Sequence, residues 1–146
     1  MIAKNTERRV SLTVKCLALA FGSLLLCSCN VSRKVDTAKQ AVERFHNELK
    51  AGDDDRVYDD ADSAYRTSVS RQANHELLMR VRRKMGQFQR AEYQSFLMSA
   101  VTQGTFVALK YKAQFTNGDL EEQFTFRLEG EHATLVRYQA SSPISY

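Results

Sequence analysis

The sequence predicts an α+β domain: three N-terminal helices packed on one face of a curved antiparallel sheet of about four strands. Three observations carry this. Up to Gly86 the apolar residues recur at spacings of three and four, the period of an amphipathic helix. Beyond Gly86 the period drops to two, as in half-buried strands. Between two such alternating runs stands Asn117-Gly118, a strong hairpin signal. Helices followed by hairpin-linked strands bury their apolar surfaces by stacking as two layers.

Each element has its own pattern. Val35, Ala38, Val42, Phe45 and Leu49 form one stripe of the first helix, with Asp36, Lys39, Gln40, Glu43 and Lys50 on its other sides and Gly52 as its stop. A short second helix is expected from about Asp54 to Asp62, with Val57, Tyr58 and Ala61 facing in. The third opens at Ser70, whose hydroxyl can cap it, and places Ala73, Leu77, Val81 and Met85 on one stripe with Leu78 beside it. An irregular, bulged strand is expected over about Phe88 to Met98. Val107, Leu109, Tyr111, Ala113 and Phe115 then share one strand face, and Leu120, Glu122, Phe124, Phe126 and Leu128 share the next. Asn117-Gly118 between them suits a type I′ turn, with positive φ at both residues. Gly130 marks a further turn, and Ala133 to Ala140 forms the last strand.

The segment ahead of this domain reads as a leader. Lys4, Arg8, Arg9 and Lys15 stand against the single acid Glu7, and the run from Cys16 to Leu26 is apolar or small throughout. Eleven helical residues reach roughly 16 Å, about half the hydrocarbon thickness of a bilayer, so the run suits a cleaved export signal over residues 1–28. Leu26-Cys27-Ser28-Cys29 resembles the bacterial lipobox. That resemblance implies cleavage between Ser28 and Cys29, a diacylglyceryl thioether on Cys29 and acylation (palmitate, for example) of its new amine. Residues 29–34 then form a short tether, and residues 35–146 the domain.

Processing changes two further readings. With Cys16 and Cys27 removed and Cys29 capped, no thiol remains for a disulfide, a metal or catalysis. The formal net charge of +4 falls close to neutrality once the leader's basic residues leave, so the basic balance is no argument for nucleic acid.

Four constellations need weighing. The aspartates of "DDDRVYDDAD" lack the spacing of a calcium loop; Asp53 to Asp55 suit a helix N-terminus and the others are expected to face water. Arg80, Arg82, Arg83, Lys84 and Arg90 suit a solvated face near a helix C-terminus, with anionic headgroups as the alternative. His46, His75 and His132 are widely separated and are expected to be exposed or internally satisfied, not metal ligands. Glu122 falls near a hairpin tip, where a carboxylate is expected to be wet, and the sequence shows no partner for it.

The element order, with "AVERFHNELKAGD", "VYDDA", "SVSRQ", "RRKMG", "FVALKYKAQFTNGDLEEQFTFRLEG" and Tyr138, resembles small bacterial lipoproteins of unknown function in the nuclear transport factor 2-like superfamily. The resemblance implies a cone-shaped domain whose inward faces carry Tyr111, Glu122, Phe124, Phe126 and Tyr138 as pocket lining, and a sheet face through which such domains dimerise. Relatives of this type often open the last strand with a tryptophan; here Ala133 stands in that place. No cofactor, metal or nucleic acid is implied.

Three function classes follow. A non-catalytic envelope lipoprotein would bind a protein partner through its cone domain or a small apolar ligand in an apolar pocket between the third helix and the sheet. A structural or assembly accessory would have a filled interior and an exposed apolar patch. An enzyme akin to ketosteroid isomerases would hold a buried Glu122, Asp59 or Asp60 against a hydrogen-bond partner. In a Gram-negative host, Asn30 in place of an aspartate after Cys29 implies the periplasmic face of the outer membrane.

Overall fold

The computed structural model describes residues 30–142. Ser28, Cys29 and the leader lie outside the described residues, as does the C-terminal 143–146. The sheet and the helix faces buried against it lie within one compact unit, residues 34–146.

Over the described residues the fold is α+β: four helices and one open sheet of four antiparallel strands in the order β1-β2-β3-β4. Helix α1 covers 30–51, and the expected stripe is its buried face: Val35, Ala38, Val42, Phe45 and Leu49 are all buried, joined by Ala41 and His46. Helix α2, Asp54–Asp59, is capped by Asp53 and buries Val57.

The expectation of three helices needs correction. What reads as the end of the second helix is a break at Asp60, after which Asp62 caps a separate helix α3, Ser63–Ser68. The Asp62 carboxylate accepts from the Ala64 backbone N–H at 2.8 Å, satisfying one of the donors that a helix start leaves open. Asp62 is buried, not wet as expected. Its backbone N–H donates to the Leu135 carbonyl on the edge of the sheet at 2.9 Å, and its Oδ2 lies 3.3 Å from the Arg127 guanidinium.

Helix α4, Arg71–Met85, is capped by Ser70 and buries Val81 and Met85 as expected, but the buried face of its first half is turned by one residue. Asn74, Leu78, Val81 and Met85 are buried, whereas Ala73 is exposed and Leu77 only half-buried. Asn74 draws the helix into this phase. Its Oδ1 accepts from Tyr65 Oη and its Nδ2 donates to the Asp54 carbonyl, each at 2.9 Å, so the buried amide is partnered on both sides. Arg82 grips the buried Asp54 carboxylate with both terminal nitrogens, at 2.5 and 2.7 Å, tying α4 to α2.

The sheet consists of β1 Phe88–Val101, β2 Gly104–Phe115, β3 Gly118–Glu129 and β4 His132–Ser141. The inward residues of β2 and β3 are those the alternation names, and Val107, Leu109, Ala113 and Phe124 have no exposed surface at all. Burying side chains of this size contributes about 1.5–3 kcal/mol each. The β2–β3 hairpin exists, but not with a type I′ turn. Phe115 pairs with Gly118, so Thr116 and Asn117 form the turn, and no described residue other than glycine has positive φ. The turn is docked from outside. The Asn117 N–H reaches the Met85 carbonyl at 2.9 Å and the Thr116 N–H reaches the Gln87 carbonyl at 3.0 Å. Gly86 permits that approach: a Cβ there would fall 2.0 Å from Thr116 Oγ1, on a backbone with φ of 78°.

Bulges set the phase of the outer strands. β1 is irregular at Phe88/Arg90 and Tyr93/Ser95, as its uneven pattern predicts. In β4 the register shifts where Thr125 pairs with Arg137 but Phe126 with Leu135, leaving Val136 as the extra residue. Strict alternation from Ala133 would turn Tyr138 outward. The bulge puts Ala133, Leu135 and Tyr138 on one buried face.

Candidate functional site

Glu122 sits between Leu120 and Phe124 on the inward face of β3, paired across the sheet with Tyr111 and Ala140. Its side chain is fully enclosed, contrary to the expectation that a carboxylate near this hairpin would be wet. A buried carboxylate needs donors to replace water, and two converge on it. Tyr138 Oη donates to Glu122 Oε1 at 2.7 Å. His46 Nε2 lies 2.7 Å from Oε2, its ring supplied by the first helix. His46 and Tyr138 are themselves buried, at 5% and 6% exposure. Burial first, and then the charge of Glu122, push the Tyr138 phenol well above its ordinary value, which keeps the proton on Oη as donor.

Aromatic rings enclose this trio. Phe45 lies 4.6 Å from the Tyr138 ring and 5.1 Å edge-on to Phe124. Phe88 stacks on His46 at 4.2 Å, and Tyr111 and Phe124 present edges to the imidazole. The five residues named as pocket lining are thus brought together. Tyr111, Glu122, Phe124, Phe126 and Tyr138 are all buried, packed on one another and on α1.

A concavity of about 530 Å³ is bordered by Gln94, Lys110, Lys112, Gln123 and Gln139, and Tyr111 and Glu122 also contribute to its lining. A second of about 530 Å³ opens where the ends of α1 and α4 meet the sheet, among Leu49, Arg82, Gln87, Phe88 and Phe115. Phe88 stands between that opening and His46. A third, lined by Phe45 and Phe126, holds only about 50 Å³.

The sequence reading missed His46 as the partner, although a signal existed. His46 is four residues after Val42 and three before Leu49, and so lies on the apolar stripe of α1. Glu122 interrupts the apolar alternation of β3 in the same way. Two polar residues on two apolar faces that must meet are candidates for each other. Among the aspartates, Asp59 and Asp60 are exposed; the Arg71 guanidinium bonded to Asp59 holds that carboxyl below its ordinary value. Among the described residues no group of three or more His, Cys, Asp and Glu side chains could hold a metal ion, and no helix is long and apolar enough to cross a membrane.

Tyr111 supplies a pH prediction. Burial, aided by the charge of Glu43, pushes its phenol up to about 12 from an ordinary value near 10. Above pH 10 the unfolded chain loses this proton first, so the stabilisation is complete below pH 10 and falls as pH rises towards 12. The difference amounts to about 2 kcal/mol. Urea unfolding at pH 8 and at pH 11.5 is expected to show a loss smaller by that amount in Tyr111→Phe than in wild type. Equal losses would contradict it.

No protein-family model matches the chain, and no curated protein matches it.

Proposed function

We propose that this protein is a bacterial envelope lipoprotein, anchored through an acylated Cys29, whose folded domain is non-catalytic and binds a protein partner through the surface of β1. The lipobox-like text before Asn30 and the basic, briefly apolar leader support the anchor. In a Gram-negative host, Asn30 after the cysteine favours the outer membrane. The α+β class and the likeness of the local text support a nuclear transport factor 2-like cone.

One observation carries the binding mode. Five large hydrophobic residues are exposed among the described residues, and four of them, Tyr93, Phe96, Leu97 and Val101, lie on β1. The interior, by contrast, is packed, and Glu122 is taken as structural because each of its oxygens is engaged and its side chain meets no solvent. A general base must reach its substrate. Exposed apolar surface concentrated on one strand marks an interaction site.

The test places a photo-cross-linking residue at Leu97 or, as control, at Arg137 in the full chain in its native membrane. Cross-linked species are expected from position 97 and not from 137. Their absence at 97, or equal yield at both, would overturn the reading.

A second reading, a small apolar ligand, is favoured by the opening beside Phe88, whose volume of about 530 Å³ falls within the usual range for ligand sites. It requires a stoichiometric apolar molecule in organic extracts of the purified protein.

A further inference from the structure

β1 is an edge strand: it pairs with β2 on one side, and the sheet order leaves its other side open. Edge strands offer a row of backbone donors and acceptors, and soluble domains ordinarily blunt them with charge, proline or brevity. This one has fourteen residues, and from Tyr93 to Val101, "YQSFLMSAV", it carries neither a charge nor a proline. Leu97 is 72% exposed, Val101 53% and Phe96 45%. From Ser95 to Val101 the pairing with β2 is regular, with no bulge to twist the edge away.

The same nine residues are nearly symmetric about their centre. Phe96 and Met98 flank Leu97, Ser95 and Ser99 come next, then Gln94 and Ala100, then Tyr93 and Val101. In an antiparallel pair of identical strands with a two-fold axis at residue 97, those are the residues that face each other. Leu97 meets its own copy, Phe96 meets Met98 and Ser95 meets Ser99. From Ser95 to Ser99 every such pair is apolar with apolar or polar with polar, Gln94 then meets Ala100, and no like charges oppose. The faces agree as well. The register with β2 sets Phe96 and Met98 on the side of Leu109 and Val107, and Leu97 on the side of Ala108. The nearest charges, Glu92 and Arg90, fall outside the symmetric segment.

Resting on the protein-binding reading of β1, we infer that the partner of this strand is a second copy of the chain, joined edge to edge through antiparallel β1 strands about a two-fold axis at Leu97. A closed two-fold pair uses up the β1 edge of both copies and leaves β4 at each end of the joined sheet. The sheet becomes continuous across the two copies, eight strands in place of four.

The experiment uses the full chain, solubilised from membranes in mild detergent, with protein mass measured by light scattering across concentration. Wild type is expected as a dimer. Leu97→Lys and Leu97→Glu each set like charges against each other on the axis, and each is expected to weaken the dimer by at least about tenfold. Mixing the two variants is expected to restore a dimer of one copy of each. Residue 97 is exposed, so both variants keep the wild-type circular dichroism. A wild type that stays monomeric, or variants that dimerise like wild type, would overturn the inference. If the wild type is monomeric yet position 97 cross-links to a different protein, self-pairing fails and the β1 surface reading stands. If position 97 gives neither mass change nor cross-link, both fail.

Discussion

Glu122→Ala is expected to cost the domain about 3–5 kcal/mol, because it strands two buried hydrogen-bonding groups and opens a void in the core. The reason lies in what remains. His46 Nε2 and Tyr138 Oη each lose their acceptor while staying buried, and the missing carboxyl leaves a void among Phe124, Tyr111 and Tyr138. A domain of this size holds a total of about 5–15 kcal/mol, so the loss is a large fraction of the whole. Glu122→Gln keeps the volume and one acceptor but sets an amide N–H₂ towards a donor, and is expected to fall between alanine and wild type. Urea unfolding of the three proteins measures this. A loss below about 1 kcal/mol for alanine would mean that water reaches the carboxylate, and that the sealed interior is wrong.

The second large effect concerns location. Under the proposed function Cys29→Ala removes the sulfur that would receive the diacylglyceryl group, so incorporation of labelled fatty acid is expected to fall to background while wild type is labelled fully. The effect is all-or-none because anchoring is cumulative. Each buried methylene contributes about 0.8 kcal/mol, so that one chain binds marginally and two or three hold firmly. Labelling that persists in Cys29→Ala would move the modification elsewhere, Cys27 being the neighbouring thiol. Leu26 before Cys27 is bulkier than Ser28 before Cys29 and suits cleavage less well.

Much of this architecture was legible because hydrophobic period is a local property. The five apolar residues of the α1 stripe and the inward residues of β2 and β3 follow from spacing alone. What escaped depended on partners distant in sequence. Helix α3 buries only Tyr65, too little for a periodic pattern, and exists through the Asp62 cap. The phase of α4 is set by Asn74 reaching Tyr65 and Asp54, a polar reason that an apolar template does not score. The β2–β3 turn is shaped by the end of α4 docking against Thr116 and Asn117, which overrode the local preference of Asn-Gly. The His46–Glu122 bond joins residues 76 positions apart. The exposed face of β1 was masked by its bulges, which break strict alternation.

The proposed function joins a lipid anchor to a domain with a closed interior and a binding surface on β1. The mass of the native protein, extracted from its membrane and transferred intact into a mass spectrometer, tests both parts together. The expected mass is that of a polypeptide beginning at Cys29 with two or three acyl chains and no further small molecule. A mass that includes residues 1–28 without acyl chains, or a stoichiometric apolar molecule released on activation, would contradict it.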